Sequence, residues 1–311
     1  MKPSSLGDIV HTLPAVAAIK AHWPDARIRW IVNTEWAPLL DGNPQVDEVV
    51  LFPRRDLRGL RGMLRLVPWA RTLREQVSAD LVLDFQGLLR SALLSKLCRG
   101  QGGRILGLSD AREGARHFYD ARVDVSGCTH AVDRYLALVR ALGIERPAQL
   151  AWPLPQGTAP AGLPADSRFV VLHPFSRGKG KSLSVADVTA FCRAVSPMRV
   201  ILAGRADERV PPLENVTDLL NRTTLAELLW LLRRAAFVVS VDSGPLHIAA
   251  AITPRLVSIH TWSDPAKVGP YHPDAWIWKD GALFQRKAPD ARRSAPDIAA
   301  LSAFVRHQCA A

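Results

Sequence analysis

An aspartate close to the amino terminus has a setting that suits proton transfer. Asp8 ends a short polar loop, residues 3–8, and the apolar pattern of a helix follows it. A carboxylate in this position could act as a general base that removes a proton from a substrate hydroxyl. The alternative is a capping role, with Asp8 as the N-cap of a helix through Leu13 and Pro14 in its first turn.

A glycine-containing segment, residues 173–182, has the composition of an anion-binding turn. It follows an apolar strand and carries three cations, among them Lys179 and Lys181. Its end imitates a Walker A motif, but Phe175 stands where that motif requires its first glycine, so a P-loop is excluded. A solvated basic turn is the alternative interpretation.

A second candidate anion site covers residues 237–247. A β-branched run there ends in Asp242, Ser243 and Gly244 and leads into a helix that contains His247. The N–H groups at the start of a helix attract negative charge, so this turn could hold a phosphate group. Taken alone, His247 would more often be a core histidine than a ligand.

The elements that must position these groups alternate between apolar strands and helical patterns. Short, continuously apolar runs are typical of parallel strands covered on both faces. The predicted strands are 28–32, 48–52, 81–84 and 103–106 in the first half, and 169–173, 199–203, 237–241 and 255–260 in the second. A stretch rich in Pro and Gly predicts a linker, which gives a domain of residues 1–152, a linker of 153–165 and a domain of 166–311 that ends in a helix.

Composition narrows the class of protein. The chain has 311 residues, 48% hydrophobic and 22% charged, which fits a globular protein with two domains of ordinary size. It contains neither an apolar run of the ~18 residues needed to cross a bilayer nor a secretory signal peptide, so a cytoplasmic protein is expected. The four cysteines lie far apart and are predicted to be reduced.

A basic stretch in the first half favours anionic partners, as does the net charge of +11. Residues 54–74 hold seven arginines against the single acid Asp56. An apolar stripe at helical spacing accompanies the arginines until Pro68, and four of them share that spacing: Arg54, Arg58, Arg61 and Arg65. Such a basic amphipathic helix could lie on an anionic membrane surface, and a solvated basic face is the alternative.

These segments and their order resemble the heptosyltransferase family, which transfers heptose from ADP-heptose onto the inner core of lipopolysaccharide. The resemblance covers nearly the whole chain and is greatest to members that make the first heptosyl transfer. It rests on the following segments: residues 4–14, residues 84–92, Lys181, residues 241–247 and residues 264–271.

The resemblance implies an α/β protein of the GT-B class, in which two Rossmann-like domains with parallel sheets face each other across a central cleft. It implies an inverting, metal-independent transfer of heptose from ADP-heptose to an anionic Kdo-lipid A acceptor, with no cofactor. The chain contains no Asp-x-Asp pair, which agrees with phosphate binding by cations and helix ends instead of a metal. We expect a monomer, peripheral to the inner face of the cytoplasmic membrane, without a specific nucleic-acid partner.

The same resemblance assigns roles to individual residues. Asp8 would be the catalytic base. The residues expected at the acceptor are Ser4, Ser5, Gly7, Arg58, Arg61, Arg90 and Arg112, of which the first three and the last two follow from the resemblance and the other two from charge. The residues expected at the donor are Ser176, Lys181, Glu208, Asp242, Ser243, Gly244 and His247, with Lys179 as the alternative to Lys181.

One departure from the family concerns the first strand. An apolar strand precedes the Lys-Pro-Ser-Ser loop in the family, whereas only Met1 and Lys2 stand in that place here. We therefore expect the first central strand to be missing from the first domain and the native translation start to lie upstream of Met1.

Three other functions stay open. The chain could be a family member with a different acceptor or donor sugar, or an inactive relative that binds sugar nucleotides. Its charge would also suit a basic nucleic-acid-binding protein, although no RNP, zinc-finger or helix-turn-helix signature is present.

Overall fold

The chain forms two compact units, Met1–Leu154 and Pro155–Ala311. The computed structural model describes residues 1–163, 168–178 and 180–310, and of residues 60, 61 and 63 it describes the backbone alone. Lys179 and the end of the predicted linker therefore lie outside the described residues. Each unit alternates parallel strands with helices, so the α/β prediction is confirmed.

The first unit begins with a helix and contains two short parallel sheets. Its elements are α1 (Leu6–His22), β1 (Arg29–Asn33), a 3₁₀ helix (Thr34–Leu40), β2 (Glu48–Phe52), α2 (Gly59–Gln76), β3 (Ala79–Asp84), α3 (Leu89–Cys98), β4 (Arg99–Leu108), a 3₁₀ helix (Ala115–Phe118), β5 (Ala121–Val123) and α4 (Ala131–Arg140). β1 pairs with β2, and β4 pairs with both β3 and β5, all in parallel.

The first three residues bond to strands of both sheets. The Met1 ammonium donates to the Leu83 carbonyl at 2.8 Å, and the Asn33 N–H donates to the Pro3 carbonyl at 3.0 Å. A cavity of about 440 Å³ lies beside them, lined by Met1 and Lys2 and by residues of β1, β3 and α1. The short segment before α1 thus links β1 to β3, and the cavity borders both strands.

The second unit is built on one large sheet. Its elements are β6 (Phe169–His173), α5 (Val185–Ala194), β7 (Arg199–Leu202), β8 (Val216–Asp218), α6 (Leu225–Arg234), β9 (Phe237–Val241), α7 (Gly244–Ile252), β10 (Leu256–Ile259), α8 (Pro265–Val268), β11 (Trp276–Lys279), β12 (Ala282–Gln285), β13 (Ala288–Ser294) and α9 (Ile298–Ala310). The strands follow the order β13-β12-β11-β10-β9-β6-β7-β8.

The four strands in the middle of this sheet, β10, β9, β6 and β7, were predicted, whereas β8, β11, β12 and β13 were not. β6 and β9 are buried at every position, which explains their continuous apolar runs. β12 pairs antiparallel with β11 and β13. β13 is mostly exposed and carries Arg292 and Arg293, so it has no apolar signal that would predict a strand.

The basic helix of the first unit differs from its prediction at both ends. α2 begins at Gly59, so Arg54 and Arg58 precede it, and it continues through Pro68 to Gln76. Proline removes one helical N–H, but residues 64–68 are exposed, so the carbonyl left without that partner can bind water. The predicted end of the helical pattern at Pro68 is therefore wrong.

Two expectations from composition can be compared with the fold. Cys98, Cys128, Cys192 and Cys309 are free thiols, as predicted. Within the described part of the chain, no helix combines the length and apolar character that a membrane span requires.

Candidate active site

The carboxylate of Asp8 lies at the start of α1 and is partly open to solvent. Ser5 is the N-cap residue and Asp8 is the third residue of the helix. The Asp8 Oδ2 atom accepts hydrogen bonds from the Ser5 N–H at 3.1 Å and from the Ser5 hydroxyl at 2.7 Å. The alternative interpretation of Asp8 as the N-cap therefore does not hold, although Asp8 does take part in capping. Pro14, expected in the first turn, lies in the middle of α1.

Two residues that the sequence did not predict hold the other oxygen of Asp8. The Lys2 ammonium, 3% exposed, lies 3.7 Å from Asp8 Oδ1. It donates to the Tyr135 hydroxyl at 2.7 Å, and that hydroxyl donates to Asp8 Oδ1 at 3.3 Å. Burial raises the pKa of Tyr135 well above its usual value, and the nearby Asp8 charge raises it further, so the phenol keeps its proton.

The sequence contains only weak signals that Lys2 and Tyr135 belong to the site. Lys2 adjoins the loop that was singled out, but nothing in its sequence position shows that its ammonium is buried. Tyr135 lies on α4, 127 positions from Asp8, and its spacing there is that of a core residue. Burial lowers the pKa of Lys2, whereas the Asp8 and Asp84 charges act in the opposite direction.

Ser4 and Arg112, two of the predicted acceptor residues, lie on loops that contact the turn before α3. The Ser4 N–H donates to the Gln86 side chain at 3.2 Å. The Arg112 N–H donates to the Gly87 carbonyl at 2.8 Å, so the loop that carries Arg112 is held against the turn before α3. Gly7 is buried within the first turn of α1, which leaves Ser4 and Ser5 as the more accessible residues of this loop.

A group of arginines lies close together before α2 and at the start of α3. Burial lowers the pKa of Arg54, and the charges of Arg90 and Arg58 lower it further. Arg58 and Arg90 are themselves exposed. The side chain of Arg61 lies outside the described residues. The three described arginines would favour an anion that contacts them together, because each raises the positive potential at the others.

The predicted phosphate-binding lysine of the second unit is paired with a predicted donor residue. Lys181 Nζ lies 2.7 Å from Asp242 Oδ2. The same ammonium lies 5.3 Å from the centre of the Trp262 ring. Ser176 precedes Lys181 in the same turn, and its N–H donates to the Ser182 hydroxyl at 2.9 Å. Lys179, the alternative to Lys181, has no described position.

Asp242, Ser243 and Gly244 form the turn from β9 into α7. Ser243 is the N-cap residue, and its hydroxyl lies 3.2 Å from His173 Nδ1. Burial raises the pKa of Asp242, but hydrogen bonds from Lys181 and Ser263 outweigh this effect, so the net shift is downward and Asp242 is an anion. His247, in the first turn of α7, is 9% exposed, and its charge acts on Asp242 in the same direction.

The remaining predicted donor residue, Glu208, is exposed on the loop after β7. Among the residues with described positions, no group of three or more His, Cys, Asp or Glu side chains is arranged to hold a metal ion. The structure thus gathers Lys181, Asp242, Ser243 and His247 in the second unit and Asp8 with Ser5 in the first.

Comparisons with known proteins give a consistent family. A model of glycosyltransferase family 9 (heptosyltransferase) matches residues 67–290. Lipopolysaccharide heptosyltransferase 1 of Pseudomonas aeruginosa is 29% identical over 87% of this chain and 80% of its own length. Lipopolysaccharide core heptosyltransferase OpsX of Haemophilus influenzae is 23% identical over 88% of this chain and 81% of its own length.

The fold has close counterparts among solved structures. The structure of Escherichia coli heptosyltransferase WaaC with ADP matches with a TM-score of 0.79 and 25% identity, over 99% of this chain and 98% of that chain. This likeness confirms the predicted GT-B class.

Proposed function

This chain belongs to glycosyltransferase family 9 and is a heptosyltransferase of lipopolysaccharide core biosynthesis, and from this premise we propose that it transfers heptose from ADP-heptose to an anionic Kdo-lipid A acceptor, with inversion and without a metal ion. The observation that carries the proposal is Asp8, a carboxylate 38% exposed at the start of α1 and hydrogen-bonded through Ser5. It is accessible to a hydroxyl and fixed in direction, as a general base must be.

The acceptor half of the reaction uses the first unit. The acceptor hydroxyl gives its proton to Asp8 while its oxygen forms a bond to the anomeric carbon of heptose. The bond from that carbon to the diphosphate breaks, and ADP leaves with the electron pair. Attack from the face opposite ADP inverts the configuration. Ser4, Ser5 and Gly7 line the acceptor position in this scheme.

The donor half uses the second unit. Lys181 and the N–H groups at the start of α7 stabilise the charge that develops on the departing diphosphate. Ser176 and Ser243 donate to phosphate oxygens, and Gly244 leaves room for them. Because cations and a helix end supply this stabilisation, no divalent metal is required.

The other donor residues act around the diphosphate. Asp242 holds Lys181 in place, since a bare carboxylate would repel phosphate if it made the contact itself. His247 lies one turn into α7 beside Asp242. Glu208 accepts hydrogen bonds from the ribose hydroxyls.

The acceptor is recognised by charge. Arg58, Arg61, Arg90 and Arg112 bind the carboxylates and phosphates of the Kdo-lipid A acceptor, a role that suits the planar guanidinium group. α2 then lies on the anionic inner face of the cytoplasmic membrane, where a lipid acceptor is present. The working form is a monomer, and nucleic acid is not a specific partner.

The test measures ADP release from ADP-heptose with a Kdo-lipid A acceptor. For Asp8→Ala we expect turnover to fall by roughly 10² to 10⁴, the usual contribution of a general base, with ADP binding nearly unchanged. Asp25→Asn, which removes an exposed carboxylate after α1, is the matched control. An undiminished rate in Asp8→Ala rejects Asp8 as the base.

Two additions to the same assay test the rest of the proposal. Activity should persist in EDTA, and a loss that magnesium restores would contradict metal independence. Other nucleotide sugars and acceptors test the alternatives, since turnover with a different pair identifies a relative of different specificity. ADP binding without turnover on any pair identifies an inactive relative.

A further inference from the structure

A row of buried polar side chains lies behind Asp242. His260, 1% exposed, stands just after β10 between two serines: its Nδ1 lies 2.9 Å from the Ser263 hydroxyl and its Nε2 lies 3.1 Å from the Ser258 hydroxyl. The Ser263 hydroxyl also bonds the Asp242 carboxylate, and the Ser258 hydroxyl lies 3.2 Å from the Trp276 carbonyl. The row therefore reaches from the Trp276 carbonyl to Asp242 and, through it, to Lys181.

The number of protons on these side chains limits how many of the contacts can be hydrogen bonds and which group donates in each. Burial lowers the pKa of His260 to about 4, so its ring is neutral at pH 7 and has one N–H. Each serine hydroxyl also has one proton, which gives fewer protons than the row has contacts. One contact must lack a hydrogen bond.

The charges around His260 favour one solution. Asp242 is the anion that faces the ring, and it attracts donors toward itself, while the charges of His247, Lys279 and Lys181 disfavour a protonated ring. If every donor points toward Asp242, Ser258 donates to Nε2, Nδ1–H donates to Ser263, and Ser263 donates to the carboxylate. The contact left without a proton is then the one between Ser258 and the Trp276 carbonyl, at 3.2 Å the longest of the measured contacts in the row.

We propose that His260 is a positioning residue of the donor site: its Nδ1–H orients Ser263, whose hydroxyl holds the Asp242 carboxylate in the direction that fixes Lys181. The contacts that carry this inference are 2.9 Å from His260 to Ser263 and 2.7 Å from Asp242 to Lys181. The inference rests on the proposed role of Lys181 as the phosphate-binding cation. Its effect on the donor is indirect, because His260 is buried behind Asp242.

The consequence for binding follows from the burial of Asp242. This carboxylate is 6% exposed, so water cannot readily replace a lost hydrogen bond from Ser263. Without that bond the carboxylate can rotate, and the Lys181 ammonium loses its fixed position at the phosphates. Loss of His260 and loss of Ser263 should therefore weaken donor binding by the same route.

The first test measures ADP binding to the full chain by calorimetry. We expect His260→Ala and Ser263→Ala each to weaken ADP binding by about 3- to 30-fold, as for loss of a buried hydrogen bond. The double variant should bind no more weakly than the weaker single variant, because both act through Asp242. His260→Asn, whose amide can place an N–H near the position of Nδ1–H, should retain most of the affinity.

The matched control is Ser302→Ala, which removes another fully buried serine hydroxyl of the second unit, one that donates to Ile298 on α9. It should leave ADP binding unchanged. In turnover assays the His260 and Ser263 variants should lower kcat/KM for the donor, because a displaced Lys181 no longer stabilises the departing diphosphate. Affinities equal to that of Ser302→Ala, or effects that multiply in the double variant, would overturn the role of His260.

Lys181→Met separates this inference from the function on which it rests. Weaker ADP binding in Lys181→Met together with unchanged binding in His260→Ala rejects the positioning role alone. Unchanged binding in Lys181→Met rejects the proposed donor site itself.

A second measurement does not depend on ADP. Nitrogen NMR of the histidine rings in the wild-type chain should show His260 with the proton on Nδ1, and Ser263→Ala should disturb that preference. A ring with its proton on Nε2 would overturn the inference whatever the binding results. Ser263→Ala provides the binding test if His260→Ala does not fold.

Discussion

At the scale of single residues, two carboxylates next to lysines differ in their exposure to solvent and in their distance from the lysine. Asp242 is 6% exposed with Lys181 at 2.7 Å, whereas Asp8 is 38% exposed with Lys2 at 3.7 Å. A buried, tightly paired carboxylate stays an anion and fixes its partner. A looser, accessible one is free to take a proton from a substrate. The geometry therefore supports Asp8 as the proposed base and Asp242 as the proposed holder of Lys181.

The Tyr135 hydroxyl offers a test at this scale. In Tyr135→Phe, Asp8 Oδ1 loses its hydrogen-bond donor and the buried Lys2 ammonium loses an acceptor. We expect kcat to fall about tenfold, the effect of one lost hydrogen bond to a charged group, while the KM for ADP-heptose changes little. Steady-state kinetics with varied donor measures both.

Tyr119→Phe is the matched control for that variant. It also removes a tyrosine hydroxyl from the first unit, one that donates to the buried Asp84 at 2.8 Å. It should lower the thermal midpoint without a tenfold fall in kcat. Equal losses of kcat in the two folded variants would contradict a specific role for Tyr135.

At the scale of elements, the second unit brings its site together by strand register. β6, β9 and β10 are parallel neighbours, and the site residues follow their carboxyl ends: His173 ends β6, Asp242 follows β9 and His260 follows β10. The carboxyl edge of a parallel sheet is where such folds bind ligands. In the first unit the candidate site lies instead at the start of α1. Helix α4 packs beside α1 and contributes Tyr135.

α2 offers a test of the proposed membrane contact. Leu64 is 80% exposed and Val67 is 65% exposed on this arginine-rich helix. We expect the double variant Leu64→Ser and Val67→Ser to bind anionic lipid vesicles about tenfold more weakly or worse, because both apolar side chains would be buried at the interface. Vesicle sedimentation measures the binding.

The control for that variant is Leu51→Ser, which removes an exposed apolar side chain, 47% accessible, from β2. It should leave vesicle binding unchanged. Wild-type binding should also fall with added salt and be weak to vesicles of neutral lipid. Equal binding by the α2 variant and the wild type would argue against a lipid-facing role for this helix.

At the scale of the whole molecule, buried basic groups make stability depend on pH. Burial lowers the pKa of His173 to about 4 and that of His260 to about 4, from ordinary values of 6.5. In each case the unfolded chain binds protons at a pH where the folded chain does not, so stability rises with pH.

The expected result is a free energy of unfolding that falls as the pH drops from 6.5 to 4. His173 and His260 account for this fall, at up to about 3 kcal/mol for each histidine. Urea unfolding at a series of pH values measures it.

Variants assign this fall to the buried histidines. His260→Asn should reduce the slope between pH 6.5 and 4, whereas His117→Asn, at an exposed histidine of the first unit, should preserve it. A free energy of unfolding that does not change over this interval in the wild type would contradict the burial of neutral histidines.

The sequence by itself determined the α/β class, the central strands and the family, because buried parallel strands leave continuous apolar runs and the turns after them carry recognisable residues. Strands β8, β11, β12 and β13 were not predicted, and of these the edge strand β13 is exposed and has no apolar pattern. Only the tertiary structure placed Lys2 and Tyr135 behind Asp8 and His260 behind Asp242. Those contacts join residues far apart in the chain or depend on burial. They could not be predicted because local periodicity shows which face of an element is buried but not which neighbouring element that face contacts.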